Sequence, residues 1–109
     1  MGIREKKPDV EAIFENRCPY KSTYVSGIRP AFLVKEDYLT TGEVVFLNKE
    51  KVPYGEQVLC HISFLTPEVY PESLWIGKKI EAHCGAQIIG YATITRIMNE
   101  ALECKKGEL

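Results

Sequence analysis

Short apolar runs with a period of two recur along this chain, and each of them predicts a β-strand. The clearest is the segment 57–65, where one parity is apolar throughout and consists of Val58, Cys60, Ile62 and Phe64. Because successive side chains of a strand point to opposite faces, this parity predicts the face that packs on a core. Residues 10–14 alternate in a similar way and predict a strand, although a short helix capped by Asp9 competes with it.

The final apolar run predicts the longest strand, from residue 87 to 98. Its β-branched and aromatic side chains favour a strand, and Gly90 inside it would cost a helix about 1 kcal/mol relative to alanine. The apolar residues around Gly90 do not keep one parity, since Ile89 lies on the opposite parity to Ala92 and Ile94. We therefore expect a bulge near Gly90 that swaps the two faces of the strand, as at the corner of a barrel.

Turn-forming residues separate the apolar runs and set the number of strands. Prolines, glycines and polar residues predict breaks at 16–23, 27–30, 36–42, 48–55 and 66–75. Further strands are then expected at 24–25, 31–34, 43–47 and 76–84. Five or six short strands without a helical period predict an all-β fold, and we expect a single six-stranded antiparallel closed β-barrel.

The barrel is expected to span residues 9–98. Residues 1–8 are charged and end at a proline, which predicts a flexible lead-in. Residues 99–109 are polar and predict a tail that begins with one helical turn around Ala101 and Leu102. The excursion 66–75, with its two prolines, is expected to place apolar side chains over one end of the barrel.

Composition narrows the class of protein further. A chain of 109 residues with 45% hydrophobic content can bury a core without metals or disulfides, and a net charge of −1 lacks the basic excess of a general nucleic-acid binder. Four cysteines form no CxxC pair, and the sequence shows neither a signal-peptide pattern nor a run of roughly 18 apolar residues. We therefore expect a cytoplasmic protein with reduced thiols and no membrane association.

Several short motifs follow one another in a familiar order. They are Ser26–Phe32, Thr41–Val44, Tyr54–Val58, the break at Pro67 and His83–Ala92. In sequence and spacing they resemble the C-terminal barrel, the third domain, of elongation factor Tu, over about residues 10 to 98. The resemblance implies that barrel as a stand-alone domain. It does not extend to the GTP cycle of the family, because the sequence contains no P-loop.

The resemblance also implies where a partner would bind. In the family this barrel contacts the T-arm of aminoacyl-tRNA and packs on the nucleotide-binding domain. Arg29, Lys35 and Gly85 match a family residue or charge, and Gln87 lies in the same stretch as Gly85. Other basic positions of the family have lost their charge here, which disfavours tRNA binding because phosphate contacts supply most of the affinity for a nucleic-acid backbone.

Aromatic residues in predicted loops add two candidates to this partner-binding set. Tyrosine and tryptophan are enriched in interfaces because they bury a large area and keep a polar tip. Tyr70 and Trp75 lie in the excursion 66–75 and are therefore expected at a partner surface. The alternative is that such aromatics plug the ends of the barrel.

Two histidines raise the question of catalysis or metal binding. His61 follows Cys60 and His83 precedes Cys84, on strands that could pair. Neighbouring residues of a strand face opposite ways, so at most two of these four share a face, whereas zinc needs three or four ligands. The same alternation separates each thiol from its adjacent base. We expect no cofactor, no metal and no catalytic residue.

The leading hypothesis is therefore a non-enzymatic protein-binding module, for example a mimic or an immunity-type regulator of a translation-factor interaction. A protein partner is expected, and a homodimer is open through the face that a neighbouring domain would cover. The first alternative is a weak RNA- or tRNA-binding module. The second is a small metal-binding or enzymatic barrel that uses His61 and His83.

Overall fold

The computed structural model describes residues 7–104, and in it the chain forms the predicted closed antiparallel β-barrel. Six strands close the barrel in the order β1, β6, β4, β3, β7, β8, while β2 and β5 form a separate two-stranded sheet. The strands are β1 Val10–Asn16, β2 Tyr24–Val25, β3 Ala31–Lys35, β4 Tyr38–Phe46, β5 Lys51–Val52, β6 Gln57–Phe64, β7 Lys79–Cys84 and β8 Gln87–Ile97. Two short 3₁₀ turns cover Pro67–Val69 and Glu100–Leu102. Neither of these helical segments is long enough to cross a bilayer, and no other helix occurs among the described residues.

The strand register defines two ends of the barrel. At one end Asn16 of β1 lies opposite Gly90 of β8, and we call it the Asn16 end. At the other end Val10 lies opposite Ile97, and we call it the Val10 end. The small β2–β5 sheet belongs to the Asn16 end, because the side-chain amide of Asn16 donates to the backbone oxygen of Val52 at 2.9 Å.

Strand alternation places the core where the sequence predicts it. The predicted core face of β6 is buried, with each of its four residues at most 3% exposed. Residues 10–14 belong to a strand, so the competing helix is wrong. Asp9 does not cap a helix. Its carboxylate accepts hydrogen bonds from the backbone of Phe64 at 2.7 Å and from the side chain of Asn99 at 2.9 Å.

The expected bulge in β8 is confirmed. Ala82 lies opposite Gly90 and His83 opposite Ile88, so Ile89 is an extra residue on β8 at this point. Ile89 is buried, and burial then continues on the other parity at Ala92. The bulge therefore turns apolar side chains of both parities into one core, which is the role of a bulge at a barrel corner.

Several element boundaries differ from the sequence-based expectation. Strand β4 begins at Tyr38, so most of the expected connection 36–42 is strand. The sequence does not predict this start, because the inward positions there include Thr40 and Gly42, which give no hydrophobic signal. Gly42 is needed there, since a Cβ would lie 2.9 Å from side-chain atoms of Phe32 and Ile62. The expected strand 76–84 begins only at Lys79, and the expected turn 48–55 contains the short strand β5.

The excursion 66–75 closes the Val10 end, as expected. Tyr70 and Leu74 are fully buried, and Leu74 exchanges backbone hydrogen bonds with Leu102 and Cys104 at 2.9 and 2.7 Å. The helical turn expected around Ala101 and Leu102 is present, and Leu102 is buried as well. The start of the predicted tail therefore packs on the barrel, while residues 1–6 and 105–109 of the predicted lead-in and tail lie outside the described residues.

Candidate interaction surfaces

The residues predicted to bind a partner do not form one surface. Arg29 precedes β3 and Gly85 and Gln87 lie at the β7–β8 turn, so these three belong to the Asn16 end. Lys35 ends β3 and Trp75 lies in the excursion, so these two belong to the Val10 end. Antiparallel register separates the two groups by the length of the barrel.

The prediction that Tyr70 binds a partner is wrong. Its side chain is 0% exposed, and its hydroxyl donates to Thr40 Oγ1 at 2.9 Å. The ring packs between Tyr38 and Phe64, with centroids 5.3 and 6.2 Å away. Tyr70 is therefore a plug of the Val10 end and offers no surface to a partner.

Three other members of the set have local structural contacts. Arg29 lies 3.9 Å from the carboxylate of Glu43 with both side chains largely exposed, an arrangement that contributes little to stability. The side-chain amide of Gln87 donates to the hydroxyl of Tyr20 at 3.1 Å. Gly85 occupies the left-handed region, with φ of +62°, in the β7–β8 turn. Each contact suits a structural residue as well as a binding residue.

The two histidines lie on strands that do not pair. β6 and β7 are separated in the barrel by β4 and β3, so His61 and His83 cannot share a site. Each instead meets a glutamate on the outer face, His61 with Glu11 at 3.9 Å and His83 with Glu81 at 2.9 Å. Among residues 7–104, no three histidine, cysteine or acidic side chains converge as metal ligands would.

Four aliphatic side chains lie close together on the outer surface of the barrel. Register places Leu59 of β6 directly opposite Ile13 of β1, and the amide of Leu47 donates to the oxygen of Leu59 at 2.9 Å. Ile13, Leu59 and Leu47, the residue directly after β4, form an outward-facing row. Val45 lies one position further along the same face of β4, opposite His61 of β6. Val45 is 43% and Leu47 39% exposed. We call Ile13, Val45, Leu47 and Leu59 the aliphatic face.

A shallow groove of about 560 Å³ continues the aliphatic face toward the Asn16 end. It is lined by Val25, Ser26, Phe46 and residues 47–51, and Val25 is 50% exposed. Leu47 belongs to both the groove and the face, so the groove adjoins the aliphatic face. Lys49 and Lys51 supply the polar rim that interfaces commonly have.

A charged patch lies on the outer surface where β1, β8 and β7 pair. Glu15, Tyr91 and Glu81 form a row across β1, β8 and β7, beside a second groove of about 470 Å³. Arg17 lies 2.6 Å from Glu15, and the ammonium of Lys79 lies 4.9 Å from the ring centre of Tyr91. Outward positions of this barrel therefore readily take polar residues, and the aliphatic face is not imposed by the fold.

The side chain of Lys78 fixes the position of Trp75 at the Val10 end. The ammonium of Lys78 donates to the backbone oxygens of Val34 at 2.5 Å and Ser73 at 2.7 Å, and it lies 4.5 Å from the centre of the Trp75 ring. Burial lowers the pKa of Lys78. The next residue, Ile76, is exposed, so a fixed aromatic ring and an aliphatic side chain form a second, smaller apolar surface.

The Asn16 end also contains a thiol that the sequence did not single out. Cys18 is 3% exposed and lies beneath the loop 19–23. Burial raises the pKa of the thiol, but hydrogen bonds from the Tyr24 hydroxyl, from the backbone of Ser22 and Tyr20 and from the Ser22 side chain outweigh it, so the pKa falls from 9.0 to about 7. A cysteine in a Cys-Pro-Tyr loop carries no recognisable signal, because two of these four donors are backbone groups.

No protein-family model and no curated protein sequence matches this chain. The fold and these surfaces are therefore the basis for any functional assignment.

Proposed function

We propose that this protein is a non-enzymatic protein-binding module that binds its partner through the aliphatic face and the adjoining groove. One observation carries the proposal: the row Leu47, Leu59 and Ile13 faces outward across three neighbouring strands. Barrel exteriors outside membranes are expected to be polar, and contiguous exposed apolar area marks interaction sites.

The ordered backbone beneath the aliphatic face lowers the entropy cost of binding. Three of the four side chains of the face project from paired strands of a closed barrel, and the amide of Leu47 is bonded to β6, so their backbone is already ordered before a partner arrives. Leucine, isoleucine and valine also lose little rotamer freedom on burial compared with long charged side chains. A pre-ordered apolar surface of this kind fits a partner with a complementary apolar surface.

The resemblance to the third domain of elongation factor Tu supports a partner class. We propose that the partner is a cytoplasmic protein that contacts a translational GTPase or resembles one, and that this protein acts as a mimic or regulator of that contact. The loss of the family's basic positions supports a protein partner over RNA.

Affinity capture from the lysate of the source cell, with and without RNase, tests the proposal. The wild-type chain is compared with Leu47→Glu, which places a charge in the centre of the apolar surface, and with Leu65→Glu as a matched control. Leu65 is 71% exposed and follows β6 at its far end, six residues from Leu59, or about 20 Å along the strand.

We expect one RNase-resistant protein that is captured by the wild type and by Leu65→Glu but not by Leu47→Glu. Circular dichroism of all three proteins checks that the variants are folded. Equal capture by Leu47→Glu would disprove the assigned surface, and a bound RNA that disappears with RNase would favour the RNA-binding alternative.

A further inference from the structure

The backbone groups of Val25 in β2 point away from its partner strand β5. Val25 lies directly opposite Lys51, and the next amide along the chain, that of Ser26, donates to the backbone oxygen of Glu50 at 3.1 Å. Hydrogen-bonded and non-hydrogen-bonded pairs alternate along an antiparallel ladder. Since Ser26 and Glu50 are a hydrogen-bonded pair, the amide and carbonyl of Val25 face the side of β2 that is turned away from β5.

On that side, β2 separates from the end of β4. The chain between β2 and β3 runs beside β4, where the amide of Gly27 donates to the oxygen of Val44 at 2.7 Å. Phe46, the last residue of β4, shares the parity of Val44, but its amide donates at 2.9 Å to the side-chain hydroxyl of Ser26 instead of a backbone oxygen. Backbone pairing therefore ends before Phe46, and we call the gap between β2 and the end of β4 the fork.

The groove of about 560 Å³ lies in this fork, since Val25, Ser26 and Phe46 line it together with residues 47–51. Within residues 7–104, the amide and carbonyl of Val25 form no backbone hydrogen bond with β4, and the oxygen of Phe46 accepts none from β2. Unpaired amide and carbonyl groups at the edge of a sheet are a template for a further strand. The groove thus combines one backbone donor and two backbone acceptors with space for another chain.

We propose that the partner inserts an extended segment of its chain into the fork, where the segment pairs with Val25 as a third strand of the β2–β5 sheet. This inference rests on the proposed function and adds the form in which the partner is recognised. In strand addition, main-chain hydrogen bonds supply affinity and the neighbouring side chains supply specificity. One residue of the segment donates to the carbonyl of Val25 and accepts from its amide.

The side chains at the fork favour an apolar residue at the paired position. Val25 is 50% exposed and shares its face of the small sheet with Lys51, whereas Val52 on the other face is fully buried. A β-branched or aromatic residue directly opposite Val25 would form a stabilising cross-strand pair. Leu47 lines the fork and also belongs to the aliphatic face, so a partner with its segment in the fork can cover that face with the rest of its surface.

The rim of the fork favours acidic residues beside the paired one. Lys49 and Lys51 both line the groove, and Glu50 is the one acidic residue of this lining. Lys49 lies 3.5 Å from the carboxylate of Glu56, but no carboxylate of residues 7–104 pairs with Lys51. Complementary charge improves the specificity and the rate of association. We therefore expect the segment to alternate apolar and acidic residues.

A synthetic peptide tests the pairing directly. The probe is acetyl-Val-Asp-Val-Asp-Val-amide, added to the full-length ¹⁵N-labelled protein while amide shifts and hydrogen exchange are recorded. In the free protein the Val25 amide should exchange much faster than that of Gly27, which is bonded to Val44. A saturating amount of peptide should slow exchange at Val25 about tenfold and leave Gly27 unchanged.

Two altered peptides serve as controls. N-methylation of the central valine removes the donor of the peptide and should weaken binding about tenfold. Lysine in place of both aspartates should weaken it as well, because the rim is then like-charged. No shift at Val25 up to about 10 mM peptide, or protection of Lys51 on the other edge of the small sheet instead of Val25, would overturn the proposal.

Val25→Pro removes the donor on the protein side. The free protein should tolerate proline there, because this amide forms no hydrogen bond among residues 7–104 and Tyr24 before it already has strand conformation. We expect peptide affinity to fall about tenfold in Val25→Pro and only about threefold in the control Val25→Ala, which keeps the amide. Circular dichroism checks that both variants fold. Equal affinities of Val25→Pro and Val25→Ala would contradict main-chain pairing.

Capture of the cellular partner separates this inference from the proposed function. Loss of the partner in both Leu47→Glu and Val25→Pro supports the binding surface and the strand addition together. Loss in Leu47→Glu with full capture by Val25→Pro would keep the surface and overturn the strand addition. Full capture by Leu47→Glu would overturn the proposed surface, whereas the peptide experiment would still decide whether the fork accepts a strand.

Discussion

The backbone oxygen of Glu15 approaches Gly90 so closely that a Cβ on residue 90 would lie 2.3 Å from it. The same Cβ would lie 3.0 Å from the Phe14 ring. This contact joins the end of β1 to the bulge of β8 and closes the barrel at that point. Only a residue without a side chain allows both the bulge and the closure.

We therefore expect Gly90→Ala to lower the free energy of unfolding by about 3 kcal/mol, because paired backbone on two strands must move apart. Chemical denaturation monitored by Trp75 fluorescence measures the change. Gly85→Ala is the control: a Cβ there would meet nothing within 4 Å, and only its φ of +62° is unfavourable, so a loss of about 1 kcal/mol is expected. Equal losses in the two variants would contradict the closure argument.

Asp9 should stabilise the Val10 end more than its place before the first strand suggests. Asp9→Ala removes the acceptor of the buried Phe64 amide and the partner of the Asn99 side chain, so we expect a loss of about 3 kcal/mol. Asp9→Asn keeps one acceptor oxygen and should lose about half as much. Denaturant midpoints of the wild type, Asp9→Ala and Asp9→Asn measure these changes in stability. A larger loss of stability in Asp9→Asn than in Asp9→Ala would refute this account.

We expect Asn16 to hold the loop of residues 17–23, which contains Cys18, in its closed position. It is fully buried, and its side chain joins Cys18, Ser22 and Val52. Asn16→Ala is expected to lower stability by about 3 kcal/mol and to speed alkylation of Cys18 by iodoacetamide, because the loop loses its anchor. The exposed Asn48 provides the control, and Asn48→Ala should change stability by less than about 0.5 kcal/mol. Slower alkylation in Asn16→Ala would argue against a closed loop.

We expect the folded protein to lose stability at alkaline pH, with the ionisation of Cys60 as one cause. Burial raises its pKa from 9.0 to about 12, so the folded state keeps a proton that the unfolded state loses. The resulting stability is fully present below pH 9 and is lost as the pH rises toward 12, by about 1.4 kcal/mol per pH unit. Lys78, whose pKa burial lowers, acts in the opposite direction below pH 10.5.

The contribution of Cys60 is therefore read as a difference between variants. Urea unfolding from pH 8 to 11 should show a steeper loss of stability for the wild type than for Cys60→Ala, although Cys60→Ala is less stable at pH 8 because of the cavity. Cys104→Ala should keep the wild-type slope. Parallel curves for the wild type and Cys60→Ala would show that Cys60 is not the group responsible.

Much of the fold could be predicted from local pattern. The alternation of residues 57–65 correctly predicts the core face of β6, and the change of parity around Gly90 correctly predicts the bulge. The start of β4 was missed because Thr40 and Gly42 occupy inward positions where a hydrophobic residue would be the signal. Thr40 is accommodated there by the hydroxyl of Tyr70, a partner 30 residues away that no local window contains.

The candidate surfaces were harder to predict. The predicted set combined residues that belong to opposite ends of the barrel, and it included Tyr70, which the core contains. The sequence does not indicate the aliphatic face, because Ile13, Leu47 and Leu59 come from three separate segments. Each of them alone is an ordinary outward residue beside a buried neighbour.

The sequence by itself determined the strands, their inward faces and the position of the bulge, because strand geometry makes side-chain direction a local property with a period of two. Only the tertiary structure decided which outward residues are neighbours, since that depends on the register and closure of strands distant in the chain. For the same reason it alone brought the Tyr70 hydroxyl to Thr40 and set His61 apart from His83.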